Sequence, residues 1–165
     1  MSKKIDTKSL IDKIEKITRE KLSEQNVVSL TDYRNLTKRD EPRTVLVVED
    51  DETVRKSLKK VLEKDGYRVL LAADGTQLSL VLDDSPIELI ILDVGLPWIN
   101  GIELAKLMKE HKDLKDIPLI FVSGQTSDLD VKRGFQVGAD DYIKKPFEIE
   151  ELRKAVNTLM VLNTK

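Results

Sequence analysis

Cysteine is absent from the 165 residues, which excludes disulfides and thiolate metal sites. Aromatic residues are only 4% of the chain, so a core must be built from Val, Leu, Ile and Ala. No apolar run approaches the roughly 18 residues that a membrane span needs. The N-terminal MSKKIDTKSL carries two lysines but no apolar stretch of the kind a secretory signal requires. A strong excess of either charge is lacking too. The net charge is -2, which argues against a general nucleic-acid binder with a basic face. Hydrophobic residues at 40% and charged residues at 35% give a globular balance with a well-charged surface. The expectation is a cytoplasmic chain with no membrane insertion and no nucleic-acid partner.

Two regions differ in character. Residues 1–43 hold eleven Lys and Arg against eight Asp and Glu, about +3, which leaves about -5 for the remainder. Pro42 precedes an abrupt apolar run, Val45 to Val48, and the boundary is placed there. Within the N-terminal extension, Leu10, Ile14 and Ile17 recur at helical spacing and predict a helix over about 6–23, with Asp6 or Ser9 able to cap it. Residues 24–43 show no sustained period. Their apolar cluster of Val27, Val28, Leu30, Tyr33 and Leu36 reads as a linker or a docking arm.

From residue 44 to 163 apolar runs alternate with helical stretches. Strands are expected near 44–48, 67–72, 87–92, 117–122 and 140–143, and helices near 53–64, 75–83, 100–110, 128–137 and 148–162. Ile87–Leu92 and Ile117–Val122 are nearly all apolar, as strands covered on both faces should be. Gly66 and Gly138 fall where helix ends favour a residue tolerant of positive φ. Five βα units predict a doubly wound α/β fold, a parallel sheet with helices on both faces. Ligands in such sheets sit at the carboxyl ends of the strands.

Those ends carry Glu49, Asp50 and Asp51 after the first strand, Asp93 after the third, Ser123 after the fourth and Lys144 and Lys145 after the fifth. Converging carboxylates repel one another unless a cation intervenes. A hard divalent ion such as Mg2+ takes oxygen ligands and suits the set. Acyl transfer would want a general base beside the nucleophile, and the single histidine, His111, is expected far away in a helix. Phosphoryl transfer needs mainly positioning and charge neutralisation, and an Asp nucleophile can form an acyl phosphate.

The stretches VLVVEDDETVRKSL, LIILDVGLPWINGIEL, IPLIFVSGQ and GADDYIKKPF resemble the response-regulator receiver family of two-component signalling. The resemblance spans about residues 44–163. It implies a flavodoxin/CheY-like five-stranded sheet of order 2-1-3-4-5 with five helices. By resemblance Asp93 is the phosphoacceptor, Asp50 binds Mg2+ (or Mn2+) directly, Glu49 acts through a water, and the Gly95 backbone carbonyl completes the metal set. Ser123 would hydrogen-bond the phosphoryl group, Lys145 would contact a phosphoryl oxygen, and Tyr142 would be the aromatic partner of Ser123 in the switch. The Lys145–Pro146 bond is often cis in the family. Glu49 stands where Asp is frequent, and Gly95 and Gln125 flank the opening to the acceptor. Trp98 lies in the loop after Asp93, as a contact point or a local cap.

The implied function is Mg-dependent transfer of a phosphoryl group from a histidine kinase or histidine phosphotransfer protein to Asp93, switching a protein-interaction surface. The implied chain is a signalling receiver, not an enzyme acting on other substrates. Its last residues follow the fifth helix closely, so no DNA-binding output domain is expected, and a downstream protein target or a homodimer is left open. The competing reading is a receiver-fold scaffold that acts by constitutive contact through the N-terminal arm. A dinucleotide-binding enzyme would need a Gly-rich turn where this chain has Glu49-Asp50-Asp51-Glu52. A haloacid-dehalogenase-type phosphatase would, by resemblance, want Asp-x-Asp and a cap insertion, and neither is present.

Overall fold

The computed structural model describes residues 11–12, 41–84 and 86–163. The chain divides into two units, Met1–Glu41 and Pro42–Lys165. In the first unit Ile11 and Asp12 are described and are helical. The rest of the expected 6–23 helix and the 24–40 arm lie outside the described residues.

The second unit begins with β1 (Thr44–Val48), α1 (Glu52–Lys64), β2 (Arg68–Ala72) and α2 (Gly75–Asp84). It continues with β3 (Leu89–Leu92), α3 (Gly101–Glu110), β4 (Leu119–Ser123), α4 (Asp128–Gln136), β5 (Asp141–Lys144) and α5 (Ile149–Leu162). All strand pairs are parallel, in the order β2-β1-β3-β4-β5. This is the doubly wound sheet expected from the sequence.

Alternation along the strands separates two cores. Leu46, Val48, Ile90, Leu92, Leu119 and Phe121 pack with Leu78 of α2 and with Leu104, Ala105 and Met108 of α3. Val45, Val47, Leu89, Ile91, Ile120 and Val122 pack with Leu58 and Leu62 of α1 and with Leu152, Val156 and Met160 of α5. Both faces are covered, which is why the central strands are apolar without a break.

The register levels the strand ends. Val48 lies opposite Leu92 and Ala72, Leu92 opposite Phe121, and Ser123 opposite Lys144. Two strands start later than the apolar runs suggest. Ile87 and Ile117 are core-facing loop residues, and Pro118, with no N–H, cannot donate to the ladder. At the other end β4 includes Ser123 and β5 includes Lys144, because the ladder runs on to a Lys145 N–H to Ser123 carbonyl bond of 2.9 Å.

Helix starts follow from local chemistry. Asp51 caps α1 by accepting from Val54 N–H, Asn100 caps α3 through Ile102 N–H, and Ser127 caps α4 through Asp130 N–H. Asp74 accepts from Gln77 N–H while the Gln77 side chain accepts from Ala73 N–H, a reciprocal pair at the start of α2. Gly66 and Gly138 have φ of 92° and 106° after α1 and α4, as their positions predict. His111 is not within a helix but caps the end of α3, where its Nδ1 accepts from Asp113 N–H.

Candidate functional site

Glu49 is placed by two bonds: its N–H donates to the Ala72 carbonyl, and its Oε1 accepts from Asp51 N–H at 3.2 Å. It is only 2% exposed, an unusual setting for a carboxylate. Asp50 beside it is exposed. Asp93 follows β3 and is 7% exposed. Its Oδ1 accepts from Gly95 N–H at 3.1 Å. Gly95 in turn bridges to Asn100, which closes the loop over residues 95–100.

Lys145 joins the two buried acids. Its Nζ lies 2.8 Å from Glu49 Oε2 and 3.3 Å from Asp93 Oδ2. The Lys145–Pro146 peptide is cis. Lys144 is exposed and stands apart. One oxygen each from Glu49, Asp50 and Asp93 lies within 4.8 Å of the others.

Electrostatics follow from this crowding. Burial pushes the Glu49 carboxyl up from 4.5 to about 7; the Lys145 hydrogen bond works against the rise, and the Asp93 charge adds to it. Burial works to lower the Lys145 ammonium, but the two carboxylates outweigh it and hold it raised. One ammonium therefore stands against three carboxylates, and the set has room for more positive charge. Three hard oxygen donors at this spacing fit a divalent cation.

Ser123 is 1% exposed and its Oγ accepts from Gln125 N–H at 3.1 Å. Tyr142 is 8% exposed, and its hydroxyl donates to the Gln125 carbonyl. Its ring lies 5.7 Å from Phe121. Burial is the main reason its phenol titrates above the ordinary value. The structure thus brings Glu49, Asp50, Asp93, Gly95 and Lys145 to one point, with Ser123, Gln125 and Tyr142 on the β4 side.

Trp98 is half-buried and packs on the start of α2, where a Cβ on Gly75 would meet its ring at 3.3 Å. Its buried indole N–H has no hydrogen-bond partner among the described residues. The ring thus packs locally between the loop after Asp93 and the start of α2. Gly101 permits the closest approach: a Cβ there would fall 2.1 Å from the Asp93 carbonyl oxygen.

Sequence reasoning missed Arg55. Its Nη1 donates to the carbonyls of Glu49 at 3.0 Å and Asp50 at 3.1 Å. The available signal was direction: helical side chains lean toward the N-terminus, so a long residue in the first turn of α1 reaches back over the acidic turn.

The family described as response regulator receiver domain matches residues 45–157. The aerobic respiration control protein ArcA of Escherichia coli is 37% identical over 116 residues, 70% of this chain and 48% of ArcA. The transcriptional regulatory protein YvrH of Bacillus subtilis is 40% identical over 113 residues, 68% of this chain and 46% of YvrH. The chain spans about half the length of these curated relatives. Among solved structures, a putative response regulator from Chloroflexus aurantiacus superposes with a TM-score of 0.68 at 36% identity, covering 73% of this chain and 99% of that one. The receiver domain of the sensor histidine kinase PA1611 from Pseudomonas aeruginosa, with a magnesium ion in its active site cleft, gives 0.65 at 26% identity, covering 73% and 98%.

Proposed function

Because this chain belongs to the response regulator receiver domain family of two-component signalling, we propose that Asp93 is its phosphoacceptor and that a partner phosphohistidine is the donor. The observation that carries the reading is the placement of Lys145 Nζ 2.8 Å from Glu49 and 3.3 Å from Asp93 at the levelled ends of the sheet. Glu49, Asp50, Asp93 and the Gly95 carbonyl would hold Mg2+ or Mn2+. When bound, the ion offsets negative charge on the oxygens of the transferring group.

The chain's own groups do the rest. An Asp93 carboxylate oxygen attacks phosphorus in line; the new bond is O–P and the broken one is the N–P bond of the donor. The electron pair leaves on the imidazole nitrogen, which a proton then neutralises. Lys145 holds a phosphoryl oxygen as a point charge. Ser123 Oγ, now an acceptor for the Gln125 N–H, turns its hydroxyl to donate to the phosphoryl group. Tyr142 reads that movement through the Gln125 carbonyl that its hydroxyl holds. The phosphorylated state is favoured only by as much as these groups bind phosphate better in one arrangement than the other.

The partner on the input side is a histidine kinase or a histidine phosphotransfer protein. The test is incubation with Mg2+ and acetyl phosphate, read by intact mass. The expected result is one added phosphoryl group, labile to hydroxylamine, in wild type and none in Asp93→Asn. Incorporation that survives Asp93→Asn, or none in wild type with either acetyl phosphate or a phosphorylated histidine donor, would overturn the reading.

A further inference from the structure

Asp50 and Glu49 sit on a turn between the end of β1 and the start of α1, and that turn is fixed unevenly. Glu49 has its own ties, through the Ala72 carbonyl and through Asp51 N–H. Asp50 is exposed, and among the described residues the hydrogen bond that fixes it is the one its carbonyl accepts from Arg55. The same Nη1 takes the Glu49 carbonyl. Both carbonyls have left the sheet ladder and precede the first helical bond, from Arg55 N–H to the Asp51 carbonyl at 2.9 Å. Arg55 thus grips the two acid-bearing peptides while its own backbone begins α1. Three carboxylates that repel one another would otherwise rotate the exposed one away.

We propose that Arg55 is a positioning residue for the divalent-cation site, holding the Glu49 and Asp50 peptides so that both carboxylates stay in register with Asp93. The proposal rests on the function argued above. It has a sign that simple electrostatics does not share. Removing a positive charge near a cation site should tighten metal binding by Coulomb's law. Removing a residue that orients the ligands should loosen it.

The experiment is a calorimetric Mg2+ titration of the full chain as wild type, Arg55→Met, Arg55→Lys and Lys56→Met, each checked for folding by circular dichroism. Lys56 is the charge control, since it pairs with Glu52 at 2.6 Å on the exposed side of α1. Arg55→Met is expected to weaken Mg2+ at least ~10-fold, the usual cost of losing a group that orients metal ligands. Arg55→Lys should fall between Arg55→Met and wild type, and Lys56→Met should bind as well as wild type or better. Wild-type or tighter affinity in folded Arg55→Met overturns the proposal. Should Arg55→Met fail to fold, the same outcome in Arg55→Lys overturns it. A wild type that binds no Mg2+, or binds it unweakened after Glu49→Gln and Asp93→Asn, overturns the site reading itself, and the proposal falls with it.

Discussion

At Glu49, burial and charge act against a group that is 2% exposed. Its carboxyl titrates at 4.5 when unperturbed and at about 7 in the fold. Across that interval the metal-free folded protein keeps a proton that the unfolded chain has released. The contribution of this group is therefore complete below 4.5 and is lost as pH rises through about 7. In chelator, the Tm of wild type relative to Glu49→Gln should fall as pH rises from about 5 to about 8; a flat difference would show that burial does not hold the proton. Asp93 raises the cost of ionising Glu49, and Lys145 lies closer to Glu49 than to Asp93. Asp93→Asn keeps an oxygen for Lys145 and removes one repelling charge. It should stabilise the metal-free fold by about 1 kcal/mol, a Tm rise of a few degrees. A fall in Tm would mean that the Lys145–Asp93 attraction outweighs the repulsion.

Between elements, α4 and β5 meet where a helix gives up a side chain. Gly134 is buried in the last turn of α4, and a Cβ there would fall 2.9 Å from Tyr142 Cδ2 and 3.1 Å from Phe121 Cδ2. Helix propensity alone would favour Ala over Gly by about 1 kcal/mol. The rigid rings should reverse that sign, and Gly134→Ala is expected to destabilise by ~1–3 kcal/mol. Adding Tyr142→Leu should recover part of the loss, and denaturant unfolding of the two singles and the double measures the coupling. Additive effects would show that the ring does not need the gap. This contact was not legible in the sequence. A glycine inside a helical pattern announces no neighbour, and Tyr142 alone does not say where its ring lies. The positive-φ glycines Gly66 and Gly138 were legible, since each acts on its own backbone. Arg55 was not, because a bond to a peptide carbonyl leaves no trace in the identity of the acceptor.

At the scale of the molecule, the acids and the serine were legible as a set because each ends a run that reads as a strand covered on both faces, whereas Lys145 follows the short edge strand β5, where the family resemblance of GADDYIKKPF carried the reading. The strand ends were less so: Ser123 and Lys144 proved to be ladder residues, a matter of register that composition does not encode. The proposed ion should act on the whole fold. Binding to the folded state alone stabilises by about 1.4 kcal/mol at ten times the Kd, so Tm should climb with Mg2+ and return with chelator. An unchanged Tm would count against the site. The ion pair between Lys145 and Glu49 joins positions 96 residues apart. Its consequence is temporal. Synthesis runs from the N-terminus, so a growing chain displays its acids well before the ammonium that balances them. On the phosphoacceptor reading proposed above, competence to accept phosphate then arrives only with the last strand.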